Sequence, residues 1–371
     1  MQMRKFKGID VEVFPLGFGC MRFPTKGRNH KIDRETSTEM IRHAIDEGVN
    51  YIDTAYYYHD GESEEFVGEV LGDGYREKVY LATKCPVYDL TDEITFEMRL
   101  DTQLERLKTD HIDFYLLHTL NKDLWNNKVL KYNVLDSMVK AREAGKIKYL
   151  GFSFHDDVEL FKEIVDSFDW DFCQIQYNYV DTKHQAGTEG LEYAYAKGMS
   201  VIIMEPLRGG RLVKGLPERV KDVLPKSKSK VETALDFIWD REEVALLLSG
   251  MSTPKQVEDN LRYAKRSSVN MLTPYERNCL KKADEVFHTM PLVGCTGCEY
   301  CMPCPFGVDI PGCFAAYNAS VHKGKRTAKE MYEALGGKAD LCRACGKCKS
   351  ACPQSINIPE EMRKIEACFA E

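Results

Sequence analysis

The sequence of 371 residues is longer than most single domains, and 43% of its residues are hydrophobic and 29% charged. This composition allows a large buried core, which excludes extended disorder and leaves room for a second, smaller domain. The net charge of -7 is spread along the chain, so the sequence offers no basic surface for nucleic acid. Since the N-terminus lacks a secretory signal and no apolar run could span a bilayer, we predict a cytoplasmic protein with no membrane or nucleic-acid partner.

Short runs of β-branched and apolar residues alternate with stretches of helical period from Leu16 to Gly250. This alternation is typical of parallel strands joined by crossover helices. We predict eight strands, at Leu16–Cys20, Val49–Thr54, Val79–Lys84, Ile112–His118, Tyr149–Phe154, Phe172–Tyr177, Ser200–Glu205 and Val244–Gly250. Eight such units, with no G-x-G-x-x-G motif after the first strand, favour a closed barrel over an open sheet. The predicted fold class is α/β, a (β/α)8 TIM barrel.

Helices are predicted between these strands, and one more after the last strand. Those between strands include Thr36–Glu47, Glu64–Leu71, Thr95–Leu107 and Leu135–Ala144, the last ended by Gly145. Lys214–Lys230 is rich in Lys, Pro and Ser, which predicts a long loop beside the active site. Pro274–Met290 is predicted to form an additional helix, and Pro291–Gly294 a boundary between a barrel of residues 1–290 and a domain of residues 291–371.

Fourteen cysteines are present, and eight of them lie in two short runs near the C-terminus. The first run comprises Cys295, Cys298, Cys301 and Cys304, and the second Cys342, Cys345, Cys348 and Cys352. The second run has the spacing of bacterial-type 4Fe-4S sites, and the first has one residue fewer before its last cysteine. The runs continue as CPFGVDIP and CPQSINIP, which indicates an internal duplication.

In two-cluster ferredoxins the last cysteine of each run binds the cluster of the other run. We therefore predict two 4Fe-4S clusters, one on Cys295, Cys298, Cys301 and Cys352, the other on Cys342, Cys345, Cys348 and Cys304. A pair of structural zinc sites stays open as the alternative, because these also use paired C-x2-C motifs. The segment ASVHKGKRTAKEMYEAL predicts a helix between the runs, so the C-terminal domain is expected to be small, mostly helical and ferredoxin-like. The other cysteines are expected to be buried thiols: Cys20, Cys85, Cys173, Cys279, Cys313 and Cys368.

Ionisable side chains end three successive predicted strands. Asp53 lies in the second strand with Tyr58 just beyond it, Lys84 ends the third and His118 ends the fourth. Singly, each would more often be a surface charge or a structural histidine, but the carboxyl ends of barrel strands form one rim, where the four would converge. Such a set suits reduction of a carbonyl by hydride transfer, which needs a proton donor. We predict that Tyr58 donates the proton, with its pKa lowered by Lys84.

In this prediction the other two side chains support the reaction. Asp53 holds Lys84 charged and oriented, and His118 hydrogen-bonds the carbonyl oxygen. The sequence here resembles the aldo-keto reductase superfamily, through YIDTAYYYHDGESEEFVG, the ATK of the third strand, the LLH of the fourth and the later GFS, QIQYN and EPLRGG segments. The resemblance implies the same tetrad of Asp, Tyr, Lys and His, and a subgroup of this superfamily carries a comparable cysteine-rich tail.

The same resemblance implies contacts to a nicotinamide dinucleotide. Ser153 and Gln174 would hydrogen-bond the carboxamide and Tyr177 would stack on the ring. The candidates at the adenosine end are Gly250, Ser252, Gln256 and Asn260. Phe154 replaces the asparagine that often follows the serine, which either weakens the carboxamide contact or shifts it onto Ser153 and Gln174.

The nucleotide preference is less marked in this sequence. Gln256 stands where many members of the superfamily carry a cation for the adenosine 2'-phosphate, and its charge-assisted contact is lost. We expect NADP, with NAD as the alternative. Arg208 and Arg211 could compensate, but they are expected to be solvated loop charges.

The sequence thus predicts an NAD(P)H-dependent enzyme that reduces a small aldehyde or ketone and carries two 4Fe-4S clusters that are structural, sensory or serve a redox partner protein. The alternative is an electron-transfer or redox-sensing protein, in which the clusters exchange electrons with a partner and the barrel binds nicotinamide. Hydride carries two electrons and each cluster passes one, so a flavin normally couples them. Because no flavin motif is present, the enzyme is the favoured reading.

Overall fold

The structure is a computed structural model that describes residues 3–27 and 31–370. The chain divides into two compact units. The first comprises Met1–Tyr177, Asp181–Pro206 and Leu235–Met271, and the second comprises Asn178–Val180, Leu207–Ala234 and Leu272–Glu371. The boundary between residues 290 and 291 stays a prediction.

The first unit contains a closed barrel of eight parallel strands. The barrel strands are β3 Leu16–Gly19, β6 Tyr51–Asp53, β7 Tyr80–Cys85, β8 Ile112–Leu120, β9 Ile147–Phe154, β10 Phe172–Gln176, β11 Ser200–Met204 and β12 Val244–Gly250. Neighbours in the barrel are neighbours in the chain, and β12 closes the ring by pairing with β3. The predicted (β/α)8 barrel is confirmed, and each predicted strand is present.

Two small antiparallel pairs, each made of two-residue strands, precede the second barrel strand. They are β1 Arg4–Lys5 with β2 Glu12–Val13, and β4 Thr25–Lys26 with β5 Lys31–Ile32. The first hairpin places Phe6, Val11 and Val13 in one buried cluster with Tyr51 and Phe172, which lie where barrel strands begin. The amino end of the barrel is therefore filled with apolar side chains, which leaves the carboxyl end for a site.

Helices surround this barrel and form most of the second unit. They are α1 Arg34–Asp46, α2 Ser63–Val70, α3 Phe96–Leu107, α4 Lys122–Leu124, α5 Val134–Glu143, α6 Val158–Ser167, α7 Gly187–Ala196, α8 Glu218–Val223, α9 Lys230–Trp239, α10 Pro254–Lys265, α11 Pro274–His288, α12 Ile310–His322, α13 Lys325–Glu333, α14 Lys347–Ser350 and α15 Ile358–Ala370. Side-chain caps explain several beginnings: Thr95 accepts from the Met98 N–H and Asp157 from the Leu160 N–H. Gly145 follows α5 with a φ of 75°, as the sequence predicted.

Two helix predictions need correction. The predicted loop Lys214–Lys230 contains the short helix α8, because Pro217 and Pro225 flank a segment whose Val220 is buried. The predicted continuous helix ASVHKGKRTAKEMYEAL is broken between α12 and α13, since Gly324 takes a φ of 84° that ends the helical hydrogen bonding.

The second unit has its own apolar core, formed by residues that include Val308, Phe314, Ile358, Met362 and Ile365. Both repeats of the tail have the same local structure, in that a Cys-Pro loop leads into a helix that begins with Ile-Pro, as α12 and α15 do. The mostly helical character of the tail is confirmed.

Some side chains of the second unit differ from expectation. Arg208 is buried rather than solvated, with its guanidinium 5.0 Å from the centre of the Phe287 ring. Cys368, expected as a buried thiol, is exposed. In the part of the chain that the structure describes, no helix is long and apolar enough to cross a membrane, and the cytoplasmic location stays a prediction.

Gly68 offers a test of helix packing in the first unit. A Cβ on Gly68 would lie 2.6 Å from the Arg106 carbonyl oxygen and 2.7 Å from the Leu107 carbonyl carbon, so α2 and α3 approach each other through this glycine. Alanine inside a helix normally stabilises by about 1 kcal/mol. We expect Gly68→Ala instead to destabilise by about 1–3 kcal/mol, because backbone cannot move aside cheaply. Thermal unfolding measures this, with Gly336→Ala as the control, since a Cβ there meets nothing within 4 Å. Equal stability of the two variants would contradict the packing account.

Candidate active site

Adjacent barrel strands bring the predicted tetrad together. Strands β6, β7 and β8 are neighbours in the barrel, so Asp53, Lys84 and His118 lie close to their shared carboxyl edge. Tyr58 follows β6 in a turn that ends in α2. The rule that barrel sites form at carboxyl strand ends therefore locates the cluster.

Lys84 and Asp53 form an ion pair that is closed to water. The Lys84 Nζ donates to both carboxylate oxygens of Asp53, each at 2.8 Å, and to the Thr54 carbonyl oxygen at 2.7 Å. The side chains are only 1% and 4% exposed. Burial raises the pKa of Asp53, and the Lys84 charge acts in the opposite direction. All three ammonium protons are used, so the position of Nζ is tightly fixed.

Tyr58 and His118 stand over this ion pair. The Lys84 Nζ lies 4.9 Å from the centre of the Tyr58 ring, whose centre is 6.2 Å from that of His118. Burial and the Lys84 charge hold the pKa of His118 well below its usual range, so the imidazole is neutral. Burial, with the Asp53 carboxylate next, raises the pKa of Tyr58 well above its usual range. We expected Lys84 to lower the pKa of Tyr58, but burial and the nearby Asp53 carboxylate raise it instead.

A second buried carboxylate, Glu64, helps to fix the strand that carries Lys84. Glu64 on α2 is fully buried and accepts from the Thr83 hydroxyl at 2.6 Å and from the Gln103 amide at 2.5 Å. Gln103 also donates to the Lys84 carbonyl oxygen at 3.1 Å and accepts from the Tyr115 hydroxyl at 2.6 Å. This network ties the backbone of β7 to α3, and so fixes the strand that carries Lys84.

The two residues expected at the carboxamide lie side by side. Gln174 of β10 pairs in register with Ser153 of β9. The Ser153 oxygen accepts from the Thr119 N–H at 2.8 Å, which leaves its own hydroxyl proton to donate. Gln174 is 2% exposed, and its Oε1 has no hydrogen-bond partner among the residues that the structure describes. A buried carbonyl oxygen without a donor fits a ligand that brings an N–H group, such as a carboxamide.

Tyr177 directly follows β10 and is enclosed by other side chains. Its ring stacks on Phe237 with centres 5.5 Å apart, its hydroxyl is 2.9 Å from the Thr188 hydroxyl, and the residue is 1% exposed. A ring buried in this way offers no open face to a nicotinamide. Phe154 is likewise buried, packed against Phe161.

The four adenosine-end candidates gather around the start of α10. The Ser252 N–H donates to Gln256 Oε1 at 2.7 Å, and Asn260 donates to the Ser249 hydroxyl at 3.0 Å. A Cβ at Gly250 would lie 2.7 Å from Arg22 Cγ. The Gln256 and Asn260 side chains therefore shape this helix end through contacts within the protein.

Four residues near these groups were missed at first. Cys20 directly follows β3, and its thiol lies near Asp53 and Lys84, while Glu205 at the end of β11 acts on Tyr58. Applying the strand-end rule to the first and seventh strands would have found both. Tyr88, with its ring centre 6.2 Å from that of His118, lies in the short 3-10 helix Val87–Asp89, which has no such signal. Arg22 is brought to Gly250 only by the fold, and its carbonyl oxygen accepts from the Ser252 hydroxyl at 2.7 Å.

The cysteines of the second unit gather in two groups of four. One small cavity is lined by Cys295, Cys298, Cys301 and Cys352 together with apolar side chains that include Phe314 and Ile358. Burial and the three neighbouring thiols raise the pKa of Cys301 to about 12. The other group is Cys304, Cys342, Cys345 and Cys348, in which burial and the other three thiols raise the pKa of Cys348. The structure thus brings the cysteines together in the crossed arrangement that the sequence predicted.

Neither group of cysteines converges on a single point among the described residues. Within the described residues, no three His, Cys, Asp or Glu side chains converge closely enough to hold a single metal ion. The first group instead encloses a cavity with apolar walls. Thiols around such a cavity fit a multinuclear iron-sulfur cluster.

Known proteins are similar to large parts of this chain. L-galactose dehydrogenase of Arabidopsis thaliana is 25% identical over 283 residues, which cover 70% of this chain and 87% of that protein. Methylglyoxal reductase YeaE of Escherichia coli (strain K12) is 31% identical over 189 residues, or 49% of this chain and 62% of that protein. The holo form of aldo-keto reductase AKR11C1 from Bacillus halodurans superposes with a TM-score of 0.64 at 25% identity, covering 76% of this chain and 96% of that one.

Family models match two regions of the chain. Residues 15–276 match the aldo/keto reductase family, and residues 294–356 match a 4Fe-4S dicluster domain. The first match covers most of the chain. The chain therefore belongs to the aldo/keto reductase family and carries a C-terminal 4Fe-4S dicluster domain.

Proposed function

We propose that the protein reduces a small aldehyde or ketone with NAD(P)H, and that Tyr58 donates the proton. The observation that carries this proposal is the buried Asp53–Lys84 pair with Tyr58 and His118 above it at the carboxyl end of the barrel. Similarity to an L-galactose dehydrogenase and a methylglyoxal reductase supports a small carbonyl compound as the substrate class.

The tetrad divides the work of carbonyl reduction. The bound dinucleotide supplies the hydride. His118, neutral because of burial and Lys84, donates a hydrogen bond that orients the carbonyl oxygen. Tyr58 stays protonated because its pKa is raised, so it carries the proton that the developing alkoxide needs. Lys84 holds Asp53 and the end of its own strand in place through its three hydrogen bonds, and its Nζ lies 4.9 Å from the centre of the Tyr58 ring.

The dinucleotide would be held at both of its ends. Gln174 Oε1 would accept from the carboxamide and the Ser153 hydroxyl would donate to it. We propose NADP rather than NAD, since the stem of Arg22 lies beside Gly250 just before α10, where Gln256 supplies no cation. The role predicted for Tyr177 has no support in its buried position.

We also propose that the eight clustered cysteines hold two 4Fe-4S clusters in the crossed partition. The match to a dicluster domain and the two groups of four thiols support this number. A second candidate function is electron transfer or redox sensing, and the observation that favours it is the exposure of Cys345. Carbonyl reduction remains the main proposal because electron transfer or redox sensing alone gives the tetrad of Asp53, Tyr58, Lys84 and His118 no role.

The proton donor is tested by Tyr58→Phe. Removing the hydroxyl leaves the alkoxide without its donor, so we expect kcat for carbonyl reduction to fall about 100-fold to 10,000-fold. Steady-state kinetics with NADPH and a panel of small aldehydes measure this, alongside anaerobic iron and sulfide analysis, which should not change. Tyr57→Phe is the matched control, because the neighbouring Tyr57 is 46% exposed and its hydroxyl donates to Asp89. Carbonyl reduction that survives the loss of the Tyr58 hydroxyl would argue for the electron-transfer reading.

The pH dependence follows from the two shifted groups. The pKa of His118 lies well below 6.5, so the imidazole does not change charge near neutrality. The donor form of Tyr58 is lost only as pH rises through its raised pKa. We expect kcat for reduction to be flat between about pH 6 and pH 9. A pH-rate profile with a step near pH 6.5 would show that His118 titrates in the working range and would contradict this account.

Gln174→Leu tests the carboxamide contact. The change removes a buried oxygen that has no donor in the protein, so the thermal stability of the cofactor-free protein should hold or rise. NADPH affinity should fall about tenfold, because the ligand loses its acceptor. Fluorescence titration and thermal unfolding measure the two effects. In the control Gln103→Leu, stability should drop, since Gln103 hydrogen-bonds Glu64 and Tyr115. Unchanged NADPH affinity in Gln174→Leu would place the carboxamide elsewhere.

A further inference from the structure

The two cysteine groups differ in how they meet the solvent. Of the eight cysteines, all within the described residues, Cys345 alone is exposed, and Cys295 is buried. The group that contains Cys295 lines an apolar cavity. Electron exchange falls off steeply with distance, so the edge at Cys345 is the shortest route between the second unit and a protein in solution.

The two groups also differ in charge. The residues between Cys295 and Cys304 include one carboxylate, Glu299, and no cation. The residues between Cys342 and Cys352, which we call the basic loop, carry three cations and no carboxylate. The cations of the basic loop are Arg343, Lys347 and Lys349.

These three cations are not used within the protein. Each is exposed, and none forms an ion pair with another residue in the part of the chain that the structure describes. Nearby lysines behave differently, since Lys338 pairs with Glu333 at 2.5 Å and Lys364 with Glu361 at 2.8 Å. Three unpaired cations around one exposed cysteine therefore form a local positive surface on a chain whose net charge is -7.

We propose that the basic loop docks the acidic face of a one-electron carrier protein, and that electrons pass between this carrier and the site of Cys304, Cys342, Cys345 and Cys348. In each event the reduced carrier loses one electron and the cluster at this site gains it, with no bond made or broken. Charge complementarity selects the partner, because surface cations steer an anionic protein and hold it briefly in a small interface. The inference rests on the proposed function only in requiring a cluster at these cysteines, and it does not depend on Tyr58.

The test measures electron transfer to the holoprotein from reduced flavodoxin, an acidic carrier, by anaerobic stopped-flow spectroscopy. In the variant Arg343→Glu/Lys347→Glu/Lys349→Glu we expect the second-order rate constant to fall at least about tenfold. Raising the ionic strength from about 0.01 M to about 0.5 M should slow the wild type by a similar factor and the variant much less. When the reduced holoprotein instead passes an electron to oxidised cytochrome c, a basic carrier, the order of the two proteins should reverse.

The control variant makes the same change in charge outside the basic loop. Lys281, Lys282 and Lys329 are exposed lysines of α11 and α13. The variant Lys281→Glu/Lys282→Glu/Lys329→Glu should keep a rate constant within about twofold of the wild type. The reason is that the rate depends on charges close to the docking site and not on the net charge of the chain. If the triple variant of the basic loop loses iron, two other measurements test the docking: the flavodoxin rate constant of Lys349→Glu, which should fall, and that of the wild type, which should fall as ionic strength rises.

Four results would overturn the inference. Equal rates for the basic-loop variant and the wild type would show that the loop does not dock the carrier, and an equal loss in the control would reduce the effect to net charge. If single-stranded RNA or phosphatidylglycerol vesicles bind the basic loop while the flavodoxin rate does not depend on it, the loop serves another partner. Zinc, or no iron, in the anaerobic protein would remove the cluster itself. Failure of the proposed carbonyl reduction is separate, because Tyr58→Phe should leave the flavodoxin rate unchanged.

Discussion

The active site depends on one interaction, the buried ion pair between Asp53 and Lys84. Removing two charges from water costs several kcal/mol per ion, and only close geometry with further hydrogen bonds offsets this. The Lys84 ammonium meets that condition by donating to both oxygens of Asp53 and to the Thr54 carbonyl oxygen. A barrel core filled by apolar side chains would be at least as stable, so the pair is best explained by what it does for Tyr58 and His118.

The rest of the barrel keeps this pair dry and fixed. The N-terminal hairpin fills the opposite end of the barrel with apolar side chains, including Phe6 and Val13. Glu64 and Gln103 anchor the backbone of Lys84 from the helix layer. Burial and the Asp53 carboxylate raise the pKa of Tyr58, whereas burial and the Lys84 charge lower that of His118. The site therefore presents a protonated phenol and a neutral imidazole to a carbonyl oxygen.

Sequence patterns predicted the strands, the tetrad and the grouping of the cysteines, because each rests on a regular spacing. Strand alternation gave the barrel, and the repeated Cys-Pro motif gave the crossed groups. The features that the sequence did not predict depend mostly on contacts between distant segments. The direction of the Tyr177 ring is set by Phe237, and the approach of Arg22 to Gly250 is set by barrel closure between β12 and β3. The helix α8 and the break at Gly324 depend on local burial and on one left-handed residue.

The most direct test of the account is to follow the hydride itself. Under anaerobic conditions the protein would be given NADPH deuterated at C4, in each of the two configurations, with a small aldehyde, and the product alcohol would be examined by mass spectrometry. The account predicts that deuterium from one of the two configurations is retained on the carbinol carbon, with a primary isotope effect on the chemical step. NADPH oxidation with deuterium lost to solvent and electrons appearing in the second unit would contradict it.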